Sequence, residues 1–182
     1  MGLRHFNLEC HFFVRTFSFK FKLMNIFYIN TDPIIAAREL ADDHIRKMQI
    51  ECAQMCCVAH WENGSSAPYR KSHTNHPSTK WTRESIQHYR WVVKHGLEIC
   101  SEFTKRYGKH HKTQDVLEWL RDNEPNIPDA GFVDPPQCMP EEFKEDNTLK
   151  AYKKFYVLDK VGVKRLDWKK LNNRPSWVDI YE

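Results

Sequence analysis

Glycine is scarce, with six residues in a chain of 182. Long stretches therefore run without a glycine or proline break, which argues against the short strands and frequent turns of an all-β fold and for helices. No run approaches the ~18 uninterrupted apolar residues that a membrane-spanning helix needs, so a bilayer is not an expected partner. The six cysteines, at 10, 52, 56, 57, 100 and 138, make no C-x-x-C pair. No secretory signal precedes them, because Arg15 interrupts the one apolar stretch near the start. That usage fits reduced thiols in a cytoplasm rather than a disulfide framework. Gly2 lacks the Ser or Thr of a myristoylation signal, since Phe6 stands in its place. The sequence shows no internal repeat and no low-complexity segment.

What is present suits one folded domain. Hydrophobic residues make up 41% and charged residues 29%, ordinary for a globular chain, and the length supports one core more readily than two. The net charge of +4 conceals a segregation. Tyr69–Lys112 holds ten Lys/Arg against three acids, Thr113–Asn147 two against ten, and Thr148–Glu182 nine against four. Such blocks build either a basic surface suited to a polyanion or merely solvated helix faces.

Residues 1–23 read differently from the rest. Phe17–Leu23 alternates like a strand, and Met24-Asn-Ile-Phe-Tyr-Ile29 looks like a fresh protein start. The expected division is therefore 1–23 as an upstream extension or arm and 24–182 as a single helical domain. An all-α fold with two long helices is expected. Asn30-Thr-Asp-Pro33 starts the first, predicted to run to about His60 and to end in Asn63–Pro68. The second is predicted from about Thr82 to Tyr107, closed by Gly108. Thr113 is expected to cap a short third helix over Gln114–Arg121. Pro125 to Pro140 contains five prolines and reads as an extended surface connection. A helix from about Pro140 to Val157, interrupted near Asp146, and a short one over Leu166–Leu171 are expected to follow.

On a helical wheel, Ala37, Ala41, Met48, Cys52, Met55 and Ala59 share one stripe, with Glu51 about 20° and Lys47 about 60° on the other side of His44. Glu51 at the margin of an apolar stripe loses part of its hydration, which suits proton transfer or stabilisation of a cationic intermediate. Lys47 and Glu51 also read as a plain i,i+4 surface pair. Cys52, Cys56 and His60 have metal-ligand spacing, but they share their stripe with Met48, Met55 and Ala59 and read as core. No metal and no other cofactor is expected, although His73/His76 and His110/His111 form loose pairs. Lys80-Trp81, Arg83, His88-Tyr89-Arg90-Trp91 and Lys94 combine phosphate-pairing charge with rings, a pattern that serves DNA contact or packing.

Four collinear segments carry a resemblance. They are Glu39-Leu-Ala-Asp-x-His44 followed by Glu51, Leu97–Gly108, Met139-Pro-Glu-Glu-Phe-Lys-Glu-Asp146, and Arg165-Leu-Asp-Trp-Lys169 with Arg174-Pro-Ser-Trp177. In this order they resemble the phage pyrimidine-dimer DNA glycosylases, the endonuclease V family. The resemblance implies a compact all-α enzyme acting as a monomer on double-stranded DNA, which it kinks while flipping a base out of the stack. It further implies glycosylase and abasic-site lyase activity on damaged or modified pyrimidines, in a bacterial host's cytoplasm if the chain is phage-encoded. Glu51 falls on the family's catalytic glutamate. His44 matches a histidine close to the DNA, Arg165 and Lys169 match phosphate contacts, and Trp177 matches an aromatic of dimer recognition, though it also suits a lid on the core. Lys47 and Arg90 are expected DNA contacts as well. The family's nucleophile is the α-amine of a small residue exposed by removal of Met. Here the corresponding start is Met24-Asn25, and Met is usually retained before a side chain as large as Asn. Three alternatives stay open: the Met24 amine reacts, a side chain such as Lys47 substitutes, or glycosylase activity is absent. The chain also has Ile50 and Gln54 where the family carries DNA-contacting arginines.

Overall fold

The computed structural model describes residues 24–163 and 166–182, so the proposed upstream arm, 1–23, and Arg165 lie outside the described residues. Among the described residues the fold is all-α, with seven α-helices and no strand. They are α1 (Pro33–Arg38), α2 (Asp42–Ile45), α3 (Met48–Glu62), α4 (Pro77–Glu84), α5 (Ile86–Tyr107), α6 (Thr113–Asp122) and α7 (Thr148–Phe155). The central helix is α5, packed against α1, α3, α4 and α6 around one contiguous apolar core.

The helix start at Asp32-Pro33 forms as its residues dictate. The Asp32 carboxylate accepts from the Ile34 and Ile35 N–H groups, and Pro33 takes the first helical position. The single helix expected from there to His60 is instead three. At Ala41 the backbone turns extended (φ −64°, ψ 156°), because its N–H leaves the helical ladder and donates to the Tyr156 hydroxyl at 2.8 Å. The next N–H, of Asp42, donates to Asp167 O at 2.8 Å. Two bonds from the carboxy-terminal segment thus outcompete local helix propensity. The breaks leave the burial pattern intact, since Ala37, Ala41, Met48, Cys52, Met55 and Ala59 are all buried.

The second expected helix also divides. Ser85 is extended, and its hydroxyl accepts from the Gln87 N–H to cap α5 and from the Ala130 N–H of the proline-rich connection. Gly108 closes α5 in the left-handed region (φ 66°), with its N–H donated to Thr104 O. Thr113 is the first residue of α6 rather than its cap, and its hydroxyl pairs with that of Tyr69. The connection 123–140 has no regular structure and lies as a strap across the molecule. Val133 O accepts from Trp81 Nε1, Asp134 accepts from the Tyr28 hydroxyl, and Pro136 O from that of Tyr152. After it come a 3₁₀ turn at Glu141–Phe143, then α7, capped by Asn147, and a π-helical stretch, Tyr156–Val163. The short helix expected over Leu166–Leu171 does not form. Those residues spend their backbone and side-chain groups on α1 and α2, with Trp168 Nε1 donating to Glu39 O and the Lys170 N–H to Asp42 Oδ2.

Gly96 sits where α3, α5 and α6 meet, and a Cβ there would lie 2.9 Å from a Leu117 methyl and 3.0 Å from Cys52 Cβ. Gly96→Ala is expected to destabilise the protein by about 1–3 kcal/mol through overpacking, read as a lower urea midpoint. A second prediction concerns His95, which is fully buried, donates from Nδ1 to Pro33 O at 2.9 Å and stacks on Trp91. Burial lowers its pKa from 6.5 to about 4. The unfolded chain therefore binds a proton that the folded chain refuses. The contribution of a neutral His95 is complete above about pH 6.5 and is lost as the pH falls from there through about 4. Urea titrations at pH 7 and pH 5 should show this loss, and His95→Asn should diminish it.

Candidate active site

The site begins in the segment that precedes α1. Met24 to Ile29 are all buried, although the segment has no strand partner to absorb its polar groups. Its backbone is satisfied locally and by α3. The Asn25 N–H donates to Glu51 Oε2 at 2.8 Å, Asn25 Oδ1 accepts from the Phe27 N–H at 2.8 Å, and Asn25 Nδ2 donates to Cys138 O at 3.0 Å. The strap and α3 therefore hold Asn25 from two sides. Phe27 takes φ 50°, a left-handed conformation costly for a residue with a Cβ. This conformation accompanies a face-to-face stack of the Phe27 ring on His44, with centroids 4.5 Å apart.

Glu51 is half-buried on the first turn of α3. It lies near the helix amino terminus, where the aligned peptide dipoles favour an anion. His44 is buried on α2, with Nδ1 2.8 Å from the Tyr156 hydroxyl. Tyr156 is itself wholly buried, and burial holds its hydroxyl protonated, far above the usual phenol range. Its ring meets Phe27 edge-on at 5.1 Å. Met24 is buried beside Asn25, and its sulfur accepts from the Thr79 hydroxyl at 3.4 Å.

The structure thus brings Met24, His44 and Glu51 together through Asn25 and Phe27. Lys47 is exposed immediately before the first residue of α3. Trp177 is buried at the back of the cluster, 6.3 Å from the Tyr156 ring and capped by the Lys153 ammonium. Lys169 is exposed and pairs with Asp167 at 2.6 Å, a contact of the kind that water and salt weaken. Arg90 binds Glu124 through two bonds, at 2.7 and 2.6 Å, so it faces the connection after α6. The rings interleaved with the basic residues of α4 and α5 serve packing, for Trp81, Tyr89 and Trp91 are buried and Trp81 stacks on His88 at 4.3 Å. Cys52, Cys56 and His60 are likewise core. Burial raises both thiols, and His60 is occupied by Ser65 and the Tyr89 hydroxyl. Among the described residues no three His, Cys, Asp or Glu side chains converge as a metal-holding group, and no helix is long and apolar enough to cross a membrane.

Two members of the cluster escaped the sequence reading. Asn25 carried a weak local signal, an Asn two residues before an aromatic, which suits the turn its side chain makes. Tyr156 carried none, being 112 residues from His44.

A family model described as pyrimidine dimer DNA glycosylase matches residues 24–115. The chain belongs to that family. The matched region contains Asn25, His44, Lys47, Glu51 and Arg90, and it begins one residue before the backbone N–H that bonds Glu51. Arg165, Lys169 and Trp177 lie beyond it. No curated protein and no solved structure matches the chain. Membership makes this a DNA glycosylase by family, and DNA its partner.

Proposed function

We propose that the protein is a monomeric DNA glycosylase with abasic-site lyase activity on damaged or modified pyrimidines of the pyrimidine-dimer type in duplex DNA, residues 24–182 carrying the reaction. The observation that carries this reading is the 2.8 Å contact between the Asn25 nitrogen and Glu51 Oε2. A peptide nitrogen is not a nucleophile. An α-amine is, because its pKa of ~7.7–8.0 leaves part of it neutral near pH 7. In a chain starting at Asn25 that amine occupies the position now hydrogen-bonded to Glu51. In a chain starting at Met24 it lies one residue away.

The amine attacks the sugar C1′ and the N-glycosidic bond breaks, its electron pair leaving with the base, which takes up a proton. Opening of the sugar, with Glu51 shuttling the proton to the ring oxygen, gives an imine. The protonated imine acidifies the C2′ proton, and its removal expels the 3′ phosphate. What supports these transfers is that a Glu51 oxygen faces the Asn25 nitrogen, where the amine would lie in a chain beginning there. His44, Lys47, Arg90, Arg165, Lys169 and Trp177 contact the DNA in this reading. Cleavage of ultraviolet-irradiated duplex and of abasic duplex tests it. Strand breaks at both are expected, whereas intact strands with firm binding favour the second reading, a DNA-binding protein of the same fold. The observation behind that alternative is that Asn25 offers only a peptide N–H whenever residue 24 is retained.

A further inference from the structure

The Tyr156 hydroxyl has one proton to give and accepts the Ala41 N–H at 2.8 Å. Its other polar neighbour at bonding distance is His44 Nδ1, also at 2.8 Å. The rings of Phe27, Trp168 and Trp177 pack around that of Tyr156. If Nδ1 carried the imidazole proton, the hydroxyl would accept twice and its own proton would have no acceptor at bonding distance. If the hydroxyl donates to an unprotonated Nδ1, both buried groups are satisfied. We infer that Tyr156 is a positioning residue that fixes the His44 ring as its Nε2–H tautomer.

The anchor is rigid on both sides. The Ala41 N–H holds the hydroxyl from the α1–α2 junction, and Phe27 stacks on the ring that the hydroxyl bonds. A solvated imidazole, by contrast, exchanges between tautomers and rotates. The use of the donor, toward an anionic oxygen of the DNA backbone, rests on the function proposed above. The tautomer does not.

Long-range proton–nitrogen spectra of the full chain test the assignment directly. In the wild type, His44 Nδ1 should resonate as an unprotonated nitrogen and Nε2 as a protonated one. In Tyr156→Phe both should move toward averaged positions while the other histidines keep theirs. A wild-type ring protonated at Nδ1, or a Tyr156→Phe spectrum with the His44 pair unmoved, overturns the inference. A second pair of variants serves if Tyr156→Phe does not fold. His44→Gln keeps an amide donor near the place of Nε2 and should bind abasic duplex within about threefold of wild type, whereas His44→Asn, with its amide near Nδ1, should bind about tenfold more weakly. The reverse order overturns the inference. Equal binding by both variants, beside the expected spectra, sinks the DNA role of His44 and leaves the tautomer standing.

Discussion

Glu51→Gln is expected to lower the single-turnover rate of base release by about 10²–10⁴-fold, the range associated with loss of a positioned acid–base group. DNA affinity should stay within a few-fold. Glutamine keeps the length of the side chain, and its carbonyl still accepts the Asn25 N–H that Glu51 Oε2 accepts now at 2.8 Å. What disappears is the negative charge and the capacity to take and return a proton. The variant therefore separates two roles that one carboxylate combines, holding the segment 24–29 in place and moving protons at the sugar. A structural role alone predicts a lower melting temperature with a rate near wild type. The catalytic role predicts the opposite pairing, a collapsed rate in a protein that melts normally.

Arg106→Met is expected to cost about 3–5 kcal/mol, the price of leaving buried charges without their partner. The Arg106 side chain is wholly inaccessible to water. Its guanidinium donates to Glu102 Oε2 at 3.1 and 3.2 Å, Asp42 Oδ1 at 3.1 Å, Leu40 O at 2.7 Å and Arg38 O at 2.9 Å. Methionine fills much of the volume but satisfies none of these acceptors, and the nearly buried Glu102 and Asp42 then keep only the Lys105 ammonium and the Lys170 N–H, each at 2.9 Å. At roughly 2–4 °C per kcal/mol for a domain of this size, the melting temperature should fall by about 10 °C. The consequence reaches the site, because the acceptors belong to the junction between α1 and α2. That junction carries the Ala41 N–H which anchors Tyr156, and His44 follows it by three residues. Arg106→Lys should be intermediate, since one ammonium cannot serve four groups in a planar fork. A melting temperature within 2 °C of wild type for Arg106→Met would contradict this assignment.

The sequence made several features legible because they are written in neighbouring residues. The Asp32-Pro33 cap, the Gly108 stop and the burial stripe of α1 to α3 depend on spacing within a few turns, and all three form. The breaks at Ala41 and Ser85 were not legible. Each is held by a partner far along the chain, Tyr156 for one and Ala130 beside the local Gln87 cap for the other, and no local propensity announces a bond across 115 or 45 positions. The site shows the same division. Glu51 stood out as a carboxylate at the edge of an apolar stripe, but the atom it faces could not be read, because Asn25 is placed by Cys138 and Phe27 rather than by its own neighbours alone. Arg90 and Lys169 read as DNA contacts in the sequence, which did not show that Glu124 and Asp167 pair with them.

The most direct test is borohydride trapping on an abasic duplex, with the adduct mapped by peptide mass spectrometry, for the full chain and for chains beginning at Met24 and at Asn25. The proposed pairing of Glu51 with the nitrogen at 24–25 predicts a covalent adduct on the α-amine of the chain that begins there, and none when Glu51→Gln is introduced. An adduct on a side chain such as Lys47, or no adduct from any of the three chains, would contradict it.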